Sequence, residues 1–400
     1  MSLVFLLLVV CEAPERPDDP VDTGADTGGP PASGGDLFAT ERVHNVDLEV
    51  APADIDRLNA APKTYVEAAA TFDGVRFERV GLRVKGSSTL QTFDGKPSLK
   101  IDLNRYVDQD LDGIELVQLH GMVIDGTQLH EAMAWHVAAE LGLPHSRVSY
   151  VRLTVNGEDY GLYAHVEAHD DVWMDRTFGD QGAGRLYEGG YPHWPESYAH
   201  ADFLDGEVQN FDLEEGEDVA WADLLAATTQ IADRASPGWY DRVDPLLELD
   251  AFTRFVAAEA WIGQWDGYAY VSNNFRVYVD GNGRSELVMS GLDWTFTEGA
   301  DWGNPSAPLV LACRADADCA ARLDAAVAET CEGLDADALL AERDRLWALI
   351  EADVLTDPRR PMRIEQVREE QTWLDQWLRD RSEMLAAQWV GGMRDDLRWD

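Results

Sequence analysis

Basic residues are scarce in this chain. Thirty-two lysines and arginines stand against 75 acids in 400 residues, a formal net charge of −43. A surface of that sign repels polyanions, which excludes non-specific binding to DNA, RNA or anionic headgroups. It does not exclude a nucleotide, since one local basic pocket or a bound metal reverses the field. Cysteine is also rare, with four in all and no CxxC pair, so a zinc ribbon has little support. No stretch of the body approaches ~20 unbroken apolar residues, so it does not read as membrane-spanning. A Gly-x-Ser-x-Gly elbow is missing too, which removes the commonest hydrolase signature. Apolar matter is plentiful: 45% of the chain is hydrophobic and there are 14 tryptophans, too much for a disordered acidic tail. The length allows two or three units of ~150 residues, or one large body with insertions.

At the N-terminus, apolar residues 3–10 end at Cys11. Residues 12–36 follow, with five prolines, five glycines, several acids and no aromatic side chain, the composition of a flexible linker. The order resembles a bacterial lipoprotein leader with Cys11 as the lipidated residue, although no Lys or Arg precedes the run and Val10 stands where a small residue is usual. The expectation is an exported protein that meets a membrane only through an anchor at Cys11. In an oxidising compartment, Cys313, Cys319 and Cys331 supply one local disulfide and leave one thiol; the sequence leaves the pairing open.

Residues 43–50, 76–84 and 98–103 alternate apolar with polar and read as strands. Thr127 is placed to cap a helix reaching Leu141, which Gly142 and Pro144 stop. Residues 149–155 and 161–166 flank Asn156-Gly157 and predict a β-hairpin. Residues 187–218 are acidic, aromatic and aperiodic, which suggests an elaborated loop or insertion. Helices are expected over 220–234, 245–264, 336–352 and along a long final stretch with Trp373, Trp377 and Trp389 in its core stripe. A second hairpin is expected around Asp280-Gly281-Asn282-Gly283. The order suits an α+β protein with a strand-rich N-lobe and a helical C-lobe, in one domain over 37–400.

Two groups of residues carry chemistry. Gly86-Ser87-Ser88, in a turn between strands, can bring backbone N–H groups to phosphate oxygens. Lys100 on the next strand can reach the same phosphates, with Lys85 as the competing lysine, and Glu131 on the following helix can hold the lysine. Further on, Asp266, Asn274 and Asp293 offer an acid at a helix end, an amide before a strand and an acid after the next strand. Phosphoryl transfer needs such a trio: a carboxylate to accept the hydroxyl proton and oxygen ligands for the nucleotide's metal. Caps and turns need the same residue types without any chemistry.

The sequence resembles the spore-coat-protein-H-like (CotH) kinases, secreted or surface-associated atypical protein kinases. The resemblance rests on Leu82-Arg83-Val84-Lys85-Gly86-Ser87-Ser88, Lys96-Pro97-Ser98-Leu99-Lys100-Ile101, and Asp125 through Leu129 with Glu131. It continues in Val155-Asn156-Gly157-Glu158, Tyr160-Gly161-Leu162-Tyr163, Trp265-Asp266-Gly267, Asn274-Phe275-Arg276-Val277-Tyr278 and Asp293-Trp294-Thr295-Phe296, spanning roughly residues 40 to 300. It implies an atypical protein-kinase-like two-lobe fold and ATP-dependent phosphorylation of protein Ser/Thr side chains, with Mg²⁺ or Mn²⁺. Carried over, Asp266 is the catalytic base, Asp293 and Asn274 are metal ligands, and Lys85, Gly86, Ser87, Lys100 and Glu131 form the nucleotide side. The charge adds that the protein substrate is neutral or basic. Two departures, Gly291 where the family carries an acid and Asn273 where it carries a histidine, make a catalytically weak pseudokinase the competing reading.

Asp108, Asp110 and Asp112 followed by Gly113 have the spacing of half a calcium loop, but position 12 is Leu119 instead of a bidentate Glu. Structural Ca²⁺ there and a solvated turn are both open. With calcium, the rival function is a surface binding module that reuses the kinase body as a scaffold. A third reading pairs Asp266 with Asp293 as glycosidase acids, which leaves Gly86 and Lys100 without a role. His165 to His169 and His130-Glu131 do not match the His-Glu-x-x-His zinc helix.

Overall fold

A computed structural model of the chain describes residues 36–179 and 182–392. The expected leader, its Cys11 and the linker as far as residue 35 lie outside the described residues.

Seven strands close a barrel: β1 (His44–Val50), β2 (Val66–Phe72), β3 (Val75–Lys85), β4 (Ser98–Asp102), β5 (Leu116–His120), β6 (Val148–Val155) and β7 (Glu158–Glu167), in the order β1-β2-β3-β4-β5-β7-β6. Closure comes from parallel pairing of β1 with β6, His44 opposite Val151 through Leu48 opposite Val155. Strict alternation in β1 sends Val46, Leu48 and Val50 inward and leaves the residues between them in solvent. Inside, these meet Leu82, Val84, Leu99, Ile101, Val117 and Leu119. Asn156 and Gly157 turn the β6–β7 hairpin with φ of +52° and +79°, the handedness that suits two twisted strands. The Asn156 amide also bonds both backbone groups of Val50 at 2.9 Å, tying the turn to the end of β1.

Helix α1 (Pro52–Ala60) follows β1, and α2 (His130–Glu140) lies between β5 and β6. The start of α2 corrects the expected cap. Asp125, not Thr127, organises it, because its carboxylate accepts N–H bonds from Thr127, Gln128 and His130 at 2.7–2.9 Å. Helix α3 (Asp171–Phe178) leads into a second, antiparallel sheet of β8 (Arg185–Glu188), β9 (Asp212–Glu215), β10 (Phe275–Val279) and β11 (Ser285–Met289), ordered β11-β10-β8-β9. The 187–218 segment is therefore not a plain insertion, since it supplies β9 and half of β8. Its strands are only four residues long, too short to show a period.

The remaining helices are α4 (Ala222–Ala232), α5 (Trp239–Val243), α6 (Leu249–Ile262), α7 (Tyr268–Val271), α8 (Pro308–Ala315), α9 (Ala317–Gly333), α10 (Ala336–Thr356) and α11 (Ile364–Gly392). Helix α6 is buried nearly all round and packs on α9 and α11, where Trp377 and Trp389 are core residues. Cys313 and Cys319 form a disulfide that joins α8 to α9, and Cys331 is the free thiol among the described residues. The architecture is α+β, with the strands concentrated in the first part of the chain. Among the described residues no helix is long and apolar enough to cross a membrane.

Candidate active site

One cleft of about 460 Å³ receives Lys85, Gly86, Ser87, Lys100, Glu131, Asp266, Asn274 and Asp293. Barrel strands bring the basic residues to it. Lys85 ends β3, and Lys100 lies on β4 opposite Arg83, with Gln118 of β5 as its other neighbour. Gly86 has a φ of +106°, a backbone setting that glycine adopts without strain, and it turns the chain out of β3 into the Ser87-Ser88 loop.

Lys85 sits deepest. Its ammonium donates to Gln118 Oε1 at 2.7 Å and meets His120 Nε2, while His120 Nδ1 meets the Glu131 carboxylate. Glu131 thus reaches the lysine through an imidazole. Burial lowers the Lys85 pKa to about 8, against the pull of Glu131 and Asp293. Burial also lowers Lys100, helped by Arg83, with Glu214 opposing.

The opposite wall is built by the residues between α6 and β11. Glu259, fully buried in α6, accepts the backbone N–H groups of Tyr268 and Ala269 at 3.0 and 2.7 Å and fixes the loop carrying Asp266. Asn273 and Asn274 each donate to the Asp266 carboxylate, at 3.1 and 3.0 Å. Burial raises the Asp266 carboxyl above its ordinary range, and those two amides oppose it. Asp293, in a single 3₁₀ turn over 292–294, is pushed up to about 7 by burial and by Glu131, with Lys85 opposing.

The donor set suits a hard divalent cation. Asn274 spends its amide nitrogen on Asp266, which leaves Oδ1 as an acceptor. Gly291 faces that oxygen, and a Cβ there would stand 2.9 Å from it. The glycine at this departure from the family pattern, at φ +60°, is what leaves the amide oxygen room. Asp293 accepts no side-chain hydrogen bond among the described residues, so its oxygens face the cleft. Carboxylate and amide oxygens are the ligands that Mg²⁺ and Mn²⁺ prefer.

Lys96, in the same motif as Lys100, stands apart from the site. It does not line the cleft but is buried against Asp357 Oδ2 at 2.6 Å, in the connection between α10 and α11. Arg276 was missed. It lies in the cleft beside His169 and its charge acts on Lys85, Lys100 and Glu188. His120 was also missed, as a lone histidine at a strand end carries no signal. Asp110 Oδ1 accepts the Gly113 N–H at 2.6 Å, closing the 110–113 turn.

Fold and cleft together describe an α+β protein whose large polar cleft gathers lysine, carboxylates and a free amide oxygen. The chain belongs to the CotH kinase protein family, whose model matches residues 82–385. That match runs into α11, so α8 to α10 and most of α11 are part of the family's domain. The chain is also 26% identical over 192 residues to a Rhizopus delemar protein named spore coat protein homolog 1. The alignment covers 46% of this chain and 30% of that relative, so the chain spans under a third of the relative's length.

Proposed function

We propose that the protein is an exported, surface-associated CotH-like kinase that uses ATP and Mg²⁺ or Mn²⁺ to phosphorylate Ser/Thr side chains of neutral or basic proteins. The observation that carries this is the meeting of Lys85, Asp266, Asn274 and Asp293 in one cleft, drawn from positions 208 residues apart (293 − 85). In this reading the barrel part and the helical part are the two lobes of a kinase-like fold. The divalent ion supplies charge neutralisation on the phosphates, held by Asp293 and Asn274 Oδ1. Lys85 and Lys100 bind phosphate oxygens, and the Gly86-Ser87 backbone approaches them. Asp266 takes the proton of the attacking hydroxyl as its oxygen bonds the γ-phosphorus and the bond to the β-phosphate oxygen breaks. A carboxyl raised by burial is suited to that proton. Attachment through Cys11 and a calcium-braced loop at Asp108, Asp110 and Asp112 are part of the same proposal.

The test is transfer of labelled γ-phosphate to a Ser-containing protein. Asp266→Ala is expected to lose transfer by ~10³-fold or more while still binding ATP with metal, and Asp293→Ala to lose the binding. No melting shift with millimolar ATP and metal would overturn the kinase reading in favour of a scaffold.

A further inference from the structure

A second group of donors lies outside the cleft, where β8 gives way to β9. His200, Asp202 and Glu207 place one ligand atom each within 4.8 Å of one another. We propose that they bind a first-row divalent cation, Zn²⁺ by preference, which clamps the 190–211 segment to the segment bearing Asp266 and Asn274.

Two observations point to a cation beyond the clustering itself. His200 stands between two acceptors: Nε2 is 2.9 Å from the Ser272 carbonyl oxygen, and Nδ1 is 2.8 Å from Glu207 Oε2. A carbonyl only accepts, so Nε2 carries the hydrogen, and Nδ1 meets the carboxylate either as a protonated ion pair or, with the two atoms drawn apart to ~3.3 Å, through a shared metal. Asp202 is 0% exposed. Its Oδ1 receives the Phe203 N–H at 2.7 Å and the Tyr268 hydroxyl at 3.1 Å; among the described residues Oδ2 has no hydrogen-bond partner of good geometry, while the Ser272 hydroxyl lies near enough to oppose the rise that burial gives the carboxyl's pKa. A fully buried carboxylate oxygen left bare is costly unless something positive meets it.

The donor chemistry selects the ion. One imidazole nitrogen with two carboxylates suits zinc, whereas calcium and magnesium favour all-oxygen sets. A tetrahedral site with bonds of ~2.0 Å has edges of ~3.3 Å, so closing on the ion takes side-chain shifts of about 1 Å. His200 and Glu207 are partly exposed, which gives an entry path and a place for water as the fourth ligand. On binding, Nδ1 releases its proton to solvent and gives its lone pair to the metal; no other bond changes. The Nε2–H bond to Ser272 already fixes the ring in that orientation. Because the Tyr268 hydroxyl and the Ser272 carbonyl belong to the segment between Asp266 and Asn274, which includes α7, the ion would steady the cleft wall from behind.

The experiment uses the full chain, stripped with a chelator and dialysed against low-micromolar Zn²⁺ with millimolar Mg²⁺ present. The expected result is about one zinc per chain by elemental analysis and a raised melting temperature. Glu207→Gln and Asp202→Asn are each expected to bring zinc to background, and Asp293→Asn to keep it. Glu207→Gln is partly exposed and should melt like the parent without metal. Co²⁺ loaded in place of zinc should show the visible bands of a four-coordinate site with a nitrogen ligand, absent in Glu207→Gln. No retained zinc, calcium retained in its stead, or zinc lost in Asp293→Asn but not in Glu207→Gln would each overturn the proposal. Loss of phosphotransfer alone would not bear on it, since metal content is read directly.

Discussion

Lys85 and Lys100 look equivalent as letters, and their surroundings separate them. Lys85 alone connects to Glu131, through His120, and it shares the field of Asp293. A sequence can list both lysines but cannot show that the imidazole of His120 closes the gap. One signal was within reach: the chain has only four lysines, at positions 63, 85, 96 and 100, and three of them line the cleft. In an arginine-rich acidic chain, the few remaining ammonium groups mark places where a compact charge has a task. The two titrating groups here define a pH profile. Asp293, raised to about 7, gains its charge as pH rises through 7. Lys85, lowered to about 8, loses its charge as pH rises through 8. kcat/KM for ATP should therefore form a narrow bell between these values, measured across pH 5.5 to 9.5. Lys85→Arg, which cannot deprotonate in that range, should abolish the alkaline fall even where its rate is ~10²-fold lower. The stability term has the opposite sign for the lysine. Between about 8 and its ordinary 10.5 the unfolded chain holds more protons than the native one, so Lys85 adds stability as pH rises there.

At the scale of elements, legibility followed length and period. The β6–β7 hairpin was readable because Asn156-Gly157 has one physical meaning between two apolar runs. Helices α10 and α11 were readable because their stripes are long. Strands β8 and β9 were not, since four residues cannot establish a period, and the pairing partner of β8, β10, lies some ninety residues further on. Helices α8 and α9 were hidden by alanine, which favours a helix without marking a face. Lys96 shows a different limit: as a letter it looks like Lys85 and Lys100, while its partner Asp357 lies 261 residues away. That pair joins the barrel to the α10–α11 connection. Asp357 also accepts the Leu162 N–H at 3.1 Å, and Gly161 leaves it room, since a Cβ there would stand 2.0 Å from Oδ1. Both charged groups are almost fully buried. Lys96→Met is expected to leave the carboxylate unpaired and cost about 3–5 kcal/mol, read as a lower urea midpoint at unchanged slope. ATP binding by the remaining folded fraction should be unaltered, because Lys96 does not touch the cleft.

For the whole molecule, the acid excess decides what approaches the cleft. Many of the arginines are already committed: Arg76 to Glu49 and Glu78, Arg147 and Arg176 to Glu167, Arg359 to Glu158, Arg345 to Glu342. The cleft rim has its own acids, with Glu188, Asp212 and Glu214 from the second sheet lining the same space as Lys85. Glu215 beside them is pushed up to about 7, by burial first and then by Asp171, Asp170 and Glu214, which shows how crowded the negative charge is there. A polyanionic nucleotide entering alone meets this field, and one entering with its metal does not. A peptide sees it from the other side. Lys or Arg flanking the acceptor serine lowers the encounter barrier, and Asp or Glu raises it. The prediction is a charge series of otherwise identical Ser peptides, with kcat/KM ordered basic, neutral, acidic at low salt. Raising ionic strength from about 0.01 to 0.15 M shortens the Debye length from about 30 to 8 Å and should compress that order by roughly tenfold or more. The neutral peptide should change little. A flat response across the series would mean that the acids on the rim do not face the substrate, and the preference for basic partners would then have to be abandoned.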